Sequence, residues 1–231
     1  DGMISSKADK IFEKIKTAPL FWDIEEAELP ELLEALDARS RRYQKGEIIM
    51  PEGEKTDSLG LVMSGSVLIV QDDFWGNRNL LAAVGPGDLF AEAFACAHAV
   101  SPVSVLCKTD GSVLYLNVRA VFSPCEKACA QHKALSQNLI RVLAEKNMQL
   151  NEKAGFLSQR TTREKLLAYL SAQARRAGSA SFRIPFDRQQ LADFLSVNRS
   201  AMSAELSNMQ RDGLLRTDRS CFTLCQPEDT P

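Results

Sequence analysis

The sequence predicts an α+β fold in three parts: an N-terminal β-roll or jelly roll with leading helices, one long helix, and a C-terminal pair of short helices closed by a β-hairpin. Three observations carry this. Short apolar stretches punctuated by glycines fill residues 39–117. A stretch with no proline after Pro124 and with apolar residues three and four apart runs on to 157. Two capped helical segments and a two-strand tail close the chain. The expected domain boundaries are 1–126, 127–158 and 159–231.

Lys7 to Leu36 reads as helical, with breaks at Pro19 and Pro30. Ile11, Phe12 and Ile15 make one apolar face, and Leu29, Leu32, Leu33 and Leu36 another. The strands expected next are Glu47–Met50, Ser58–Met63, Ser66–Val70, Asn79–Val84, Ser101–Leu106 and Ser112–Asn117. Gly46, Gly53, Gly65, Gly76, Gly85, Gly87 and Gly111 read as the punctuation between them. Many short strands at near-regular spacing indicate a small barrel or jelly roll. Within it, Gly87-Asp-Leu-Phe-Ala-Glu-Ala-Phe94 leaves a strand as a short helix or loop bearing one carboxylate, Glu92. A roll of this size can hold one small ligand, and a carboxylate there suits hydroxyl or amine donors. An exposed loop glutamate is the plainer reading.

From Pro124 to Leu157 one helix is expected. Ile140, Leu143, Asn147, Leu150, Ala154 and Leu157 alternate three and four apart, the a/d seam of a parallel two-stranded coiled coil. Asn147 falls at an a position, where a buried polar pair fixes register and dimer state. Leu135, Leu139 and Val142 form a second face that can cover the roll. Ser158 to Thr162 reads as a joint, with Thr161 or Thr162 capping a helix that ends near Gly178. Ser179 to Pro185 is expected to form a short strand or turn.

Asp187 and Gln190 have the spacing of a capping box, so a short helix should run from Arg188 to Leu195. Asn198 caps a second helix, with Ala201, Met202, Leu206 and Met209 on its inner face and Gly213 at its end. This is a helix-turn-helix, whose second helix enters the DNA major groove. Arg199, Ser200 and Ser203 lie on its exposed first turn; Arg bonds guanine bidentately and Ser any base. Leu214–Thr217 and Cys221–Leu224 read as a wing around Asp218-Arg219, with Arg219 near the phosphates.

The net charge of -2 divides unevenly. From residue 159 onward 11 Lys+Arg face 8 Asp+Glu (+3), leaving 17 against 22 (-5) before it. A basic end on an acidic body suits DNA binding. No apolar run spans a membrane and no signal peptide opens the chain, so a cytoplasmic protein is expected. The six cysteines (96, 107, 125, 129, 221 and 225) lack zinc spacing and read as reduced thiols. There is no Ser/His/Asp grouping, phosphate loop or metal-ligand set, so neither an enzyme nor a metal site is expected.

The order of roll, long helix and winged helix-turn-helix resembles the CRP/FNR family of bacterial transcription regulators. The blocks that carry the resemblance are Tyr43-x-Lys-Gly-Glu-Ile-Ile49, Glu52-Gly-Glu54, Met63-Ser-Gly-Ser-Val67, Gly85-Pro-Gly-Asp-Leu-Phe90 with Glu92, and Arg188-Gln-Gln-Leu-Ala-Asp-Phe-Leu195 with Asn198-Arg199-Ser200. The resemblance implies a homodimer on a palindromic promoter site, RNA polymerase as a protein partner, and a small-molecule effector in the N-terminal domain. It assigns Arg188 and Gln189 to the DNA backbone and Arg199 to a base. The effector candidates are Ala91, Glu92, Ser104 and Asn147.

Family members that bind cyclic AMP carry Gly-Glu and then an Arg-Ser/Thr pair for the cyclic phosphate. Here these positions read Ala91-Glu92 and, near the pair, Pro102-Val103, which argues against cyclic AMP. No cysteine precedes Cys96, so the N-terminal iron–sulfur cluster of the oxygen-sensing branch is unsupported. A haem would have only His98 and His132 to draw on. Two alternatives stand beside the DNA-binding regulator: a ligand-binding module whose helix-turn-helix contacts protein, and a haem- or redox-sensing regulator.

Overall fold

The computed structural model describes residues 15–75, 78–122 and 130–225. The chain forms two compact units, residues 1–145 and 146–231.

The first unit opens with two 3-10 turns, Pro19–Phe21 and Glu26–Glu28, and helix α1, Leu29–Ala35. Pro30, expected as a break, lies in the first turn of α1, where a missing N–H costs no helical bond. Ile15 is buried, while Ile11 and Phe12 lie outside the described residues. Six antiparallel strands follow: β1 (Arg39–Tyr43), β2 (Ile48–Met50), β3 (Ser58–Asp72), β4 (Arg78–Val84), β5 (Leu89–Phe90) and β6 (Ser104–Asn117). Their path is β1-β6-β3-β4, with β2 on β6 and β5 on β3.

Two strand expectations are corrected. Ser58–Met63 and Ser66–Val70 are one strand, β3, and the two stretches ending at Leu106 and beginning at Ser112 are one strand, β6. The glycines expected as turns, Gly65 and Gly111, instead sit inside these strands where the register slips between Val62 and Val67. Gly65 has φ +77, and a Cβ on it would lie 2.6 Å from the Asp110 carbonyl oxygen. A residue without a Cβ lets the two backbones close there.

Both faces of β3 and β6 are covered, which is why their sequences are nearly continuous in apolar residues. Leu59, Leu61, Leu114 and Leu116 join one core with Leu20, Phe21 and Leu32. Val62, Val67, Val105 and Val113 join the other, inside the roll, with Tyr43 and Phe90. After α2 (Glu92–Ala97) and α3 (Val118–Phe122) comes α4, Ala130–Leu157. Leu135 and Leu139 of α4 are fully buried in the first core with Val142 packed beside them, as their spacing predicts. Asn138 Nδ2 donates to the carbonyls of Leu20 (3.1 Å) and Trp22 (2.6 Å), so its buried amide is satisfied.

The second unit contains the end of α4, α5 (Thr162–Ala177), β7 (Ser181–Arg183), α6 (Arg188–Phe194), α7 (Arg199–Arg211), β8 (Leu215–Asp218) and β9 (Cys221–Leu224). Thr161 and Glu164 close a capping box, and Gly178 ends α5 in the left-handed region. The strands order β7-β9-β8. Leu166, Tyr169, Leu191, Leu195, Met202, Leu206, Met209 and Phe222 make the core, with Phe156 of α4 among them. Among the described residues no helix is long and apolar enough to cross a membrane.

Candidate nucleic-acid interface and sensor site

The helix-turn-helix forms where its caps place it. Asp187 Oδ1 accepts from the Gln190 backbone N–H at 2.8 Å, and Gln190 Oε1 accepts from that of Asp187 at 2.9 Å. After α6 the chain turns through Ser196 in the left-handed region, φ +51. Asn198 Oδ1 then accepts from the Ser200 and Ala201 N–H groups at 2.9 and 3.1 Å, starting α7. Met202, Leu206 and Met209 hold the inner face of α7. Ala201, expected on that face, is exposed: those three residues already fill the i, i+4, i+7 stripe, and Ala201 lies about 100° round from it. Arg199, Ser200 and Ser203 are exposed on the opening turn, as predicted.

The hairpin turn is also one residue later than expected. Asp218 pairs with Cys221, so the turn is Arg219-Ser220, with Arg219 at φ +52. Arg188 is half-buried: Nη2 donates to Thr217 Oγ1 at 2.8 Å and the guanidinium stands 5.0 Å over the Phe222 ring. Its Nη1 is buried with no hydrogen-bond partner among the described residues, and burial pushes the guanidinium pKa down. Gln189 is exposed, with Nε2 donating to Asp193 Oδ1 at 2.8 Å. Arg188, Gln189, Arg199 and Arg219 line one open cavity of about 900 Å³. Arg183, which no sequence motif marked, lines it too. The only sequence signal was its place in a strand next to the wing.

In the first unit, Ala91 and Glu92 sit where β5 passes into α2. Ala91 takes the left-handed conformation, φ +61, and Glu92 is buried at 7% exposure rather than lying on an exposed loop. Phe90 fills the space over Gly60, where a Cβ would lie 2.2 Å from the ring. Ser104 opens β6 and its Oγ accepts from the Glu52 N–H at 2.9 Å. Asn147 lies in the second unit, exposed on α4, with its Oδ1 accepting from Asn151 at 3.3 Å. At the place a cyclic phosphate would need a cation, Val103 is buried and apolar, and Pro102 offers only a carbonyl that accepts from Gln71. Those residues do not fit that group.

His98 is engaged by Asp57, Nδ1 to Oδ1 3.4 Å, and Arg119 reaches the same carboxylate at 3.1 Å. His132 is half-buried on α4. Cys96, Cys107, Cys221 and Cys225 are free thiols; Cys125 and Cys129 lie outside the described residues. Among the described residues no three of His, Cys, Asp and Glu group to hold a metal ion.

Two family models match this chain: a cyclic nucleotide-binding domain over residues 40–127 and a Crp-like helix-turn-helix domain over residues 164–229. The transcriptional activator protein FnrL of Cereibacter sphaeroides is 24% identical over 184 residues, 76% of this chain and 71% of its own length. The CRP-like cAMP-activated global transcriptional regulator of Mycobacterium tuberculosis is 24% identical over 224 residues, 94% of this chain and 96% of its own. Among solved structures, a CooA variant from Carboxydothermus hydrogenoformans superposes with TM-score 0.59 at 19% identity, covering 92% of this chain and 97% of that one. The c-di-GMP-responsive regulator CLP of Xanthomonas campestris gives TM-score 0.57 at 18% identity, covering 87% and 99%. At such identities the structural likeness establishes the fold alone. The two matched domains, in this order and on this fold, make the chain a non-enzymatic member of the CRP/FNR family of transcription regulators, with a DNA-binding helix-turn-helix.

Proposed function

We propose that this regulator binds a palindromic promoter site as a homodimer and is switched by a small molecule held near Ala91 and Glu92. The observation that carries the reading is the exposed Arg199, Ser200 and Ser203 turn beside a cavity lined by arginines. Base-reading groups on a helix end, flanked by cations for the backbone, are what a sequence-specific reader needs. The a/d seam supports the dimer: Ile140 and Leu150 are 60% and 67% exposed on α4, apolar groups that a second α4 would cover. Two copies would then present their α7 helices about one DNA turn apart, ~34 Å.

For the effector, the buried Glu92 supports a ligand with hydroxyl or amine donors, and the buried Val103 disfavours a cyclic phosphate. Ligand binding would act by shifting the population of α4 pairings, with Ser104 as a further ligand contact and Asn147 as a residue of the α4 seam that responds. RNA polymerase is the protein partner the family implies.

A titration of labelled duplex across a salt series tests the DNA reading. Affinity should fall steeply with salt and favour one duplex selected from a random pool. Absence of salt-dependent duplex binding sinks it and favours a helix-turn-helix that docks on protein. Native mass spectrometry of the same sample should report twice the chain mass plus any retained effector, and a monomer would remove the palindrome.

A further inference from the structure

We infer that Arg183 is a DNA-phosphate-binding residue, and that the edge formed by β7 and the wing grips the duplex backbone beside the groove that α7 enters. This rests on the DNA-binding reading above and adds a contact that no sequence motif marks. Arg183 ends β7, pairs with Cys221 of β9, and so stands beside the Arg219-Ser220 turn. Its Nε donates to Ser220 Oγ at 3.1 Å. That bond holds the guanidinium plane against the wing. The two terminal nitrogens remain as the pair that can meet phosphate oxygens side by side.

The surroundings select a polyanion. Arg183, Arg188, Arg199 and Arg219 all line the same cavity, and its one carboxylate, Asp187, is committed to capping α6. The buried, unpartnered Nη1 of Arg188 adds to this, because a desolvated charged donor is costly until an acceptor reaches it. A cationic ligand, or one without acceptor oxygens, would leave that cost standing. The four arginines come from β7, α6, α7 and the wing, four separate elements, which suits successive groups along a strand better than one compact ion. Arg183 is on a strand edge rather than on α7, so its role is to position the duplex and not to read a base.

The test uses the full chain with two labelled duplexes, one selected from a random pool by the parent protein and one scrambled, each titrated across a salt series. Arg183 is exposed, so Arg183→Gln should melt with the parent. Its affinity should drop by the same factor on both duplexes, and the slope of log affinity on log salt should shrink by ~0.9 per bound chain. Arg183→Lys should restore the slope while binding more weakly than Arg. Ser220→Ala should lower affinity on both duplexes and keep the slope. Arg199→Ala should instead narrow the gap between the duplexes. A parental slope and affinity in Arg183→Gln overturn the Arg183 assignment and leave the regulator reading intact. A loss on the selected duplex alone makes Arg183 a base reader and also overturns it. No salt-dependent binding by the parent overturns both.

Discussion

Phe156, one residue from the end of α4, meets Tyr169 of α5 edge to face, with ring centroids 5.6 Å apart and planes at 88°. Phe194 of α6 lies 6.4 Å from Phe156 and 5.5 Å from Tyr169, and Lys153 sits 5.1 Å over the Phe194 ring. The last turns of α4 are thus anchored in the same core that supports the helix-turn-helix. Phe156→Ala should lower the stability of the second unit by about 3–5 kcal/mol, and Phe156→Leu by much less. Thermal unfolding followed by circular dichroism checks both, and a neutral Phe156→Ala would mean that α4 ends outside this core.

Tyr169 carries a hydroxyl that meets no hydrogen-bond partner among the described residues. Burial pushes its pKa up from 10.0 to about 12. Folding favours the neutral form, so this contribution is complete below pH 10 and is lost as pH rises through about 12. Tyr169→Phe should be at least as stable as the parent near neutral pH, because it removes an orphaned polar group. Its advantage should widen across that alkaline window. A clear loss of stability at neutral pH would show that the hydroxyl is satisfied.

The elements marked by local chemistry were legible in the sequence. Asp187 with Gln190, Asn198 and Thr161 each cap the helix expected of them, since an N-cap is a contact within three residues. Strand continuity was not, because a glycine signals a turn and a strand bulge alike. Gly65 and Gly111 looked like turns; only the partner strand shows that they are a crossing point. Arg183 was missed for the same kind of reason, as its neighbours Ser220 and Arg219 are 37 and 36 positions away. Gly111→Ala should therefore destabilise the first unit strongly: the new Cβ would lie 2.2 Å from the Ser64 backbone oxygen, and backbone on both sides must move. Urea unfolding measures it, and a change under about 0.5 kcal/mol, the scatter of an ordinary surface substitution, would show that the strands can part there.

Ala91 holds a conformation that costs an L-residue roughly 1–2 kcal/mol, at φ +61. Glycine would relieve that strain while gaining some freedom in the unfolded chain. Ala91→Gly should raise stability by about 0.5–1 kcal/mol. It should do so without creating cyclic AMP binding, since Pro102 and Val103 still offer no cation. Calorimetry with and without cyclic AMP separates the two statements. A large ligand-dependent shift in melting temperature would overturn the second.

Leu150 and Asn147 test the proposed pairing of α4 helices from opposite sides. Leu150 is 67% exposed, so Leu150→Asp should leave each chain folded. In a paired seam it would set two carboxylates against each other in apolar surroundings, so native mass spectrometry should shift to monomer and duplex affinity should collapse. Asn147 is also exposed, and its Oδ1 accepts from Asn151 Nδ2. At an a position, Asn147→Leu should tighten association yet loosen register and oligomer state, because a buried amide pair trades stability for specificity. Asn147→Ala should keep the melting temperature and change duplex affinity or effector response. A gel-shift titration identical to the parent in both respects would remove Asn147 from the coupling route.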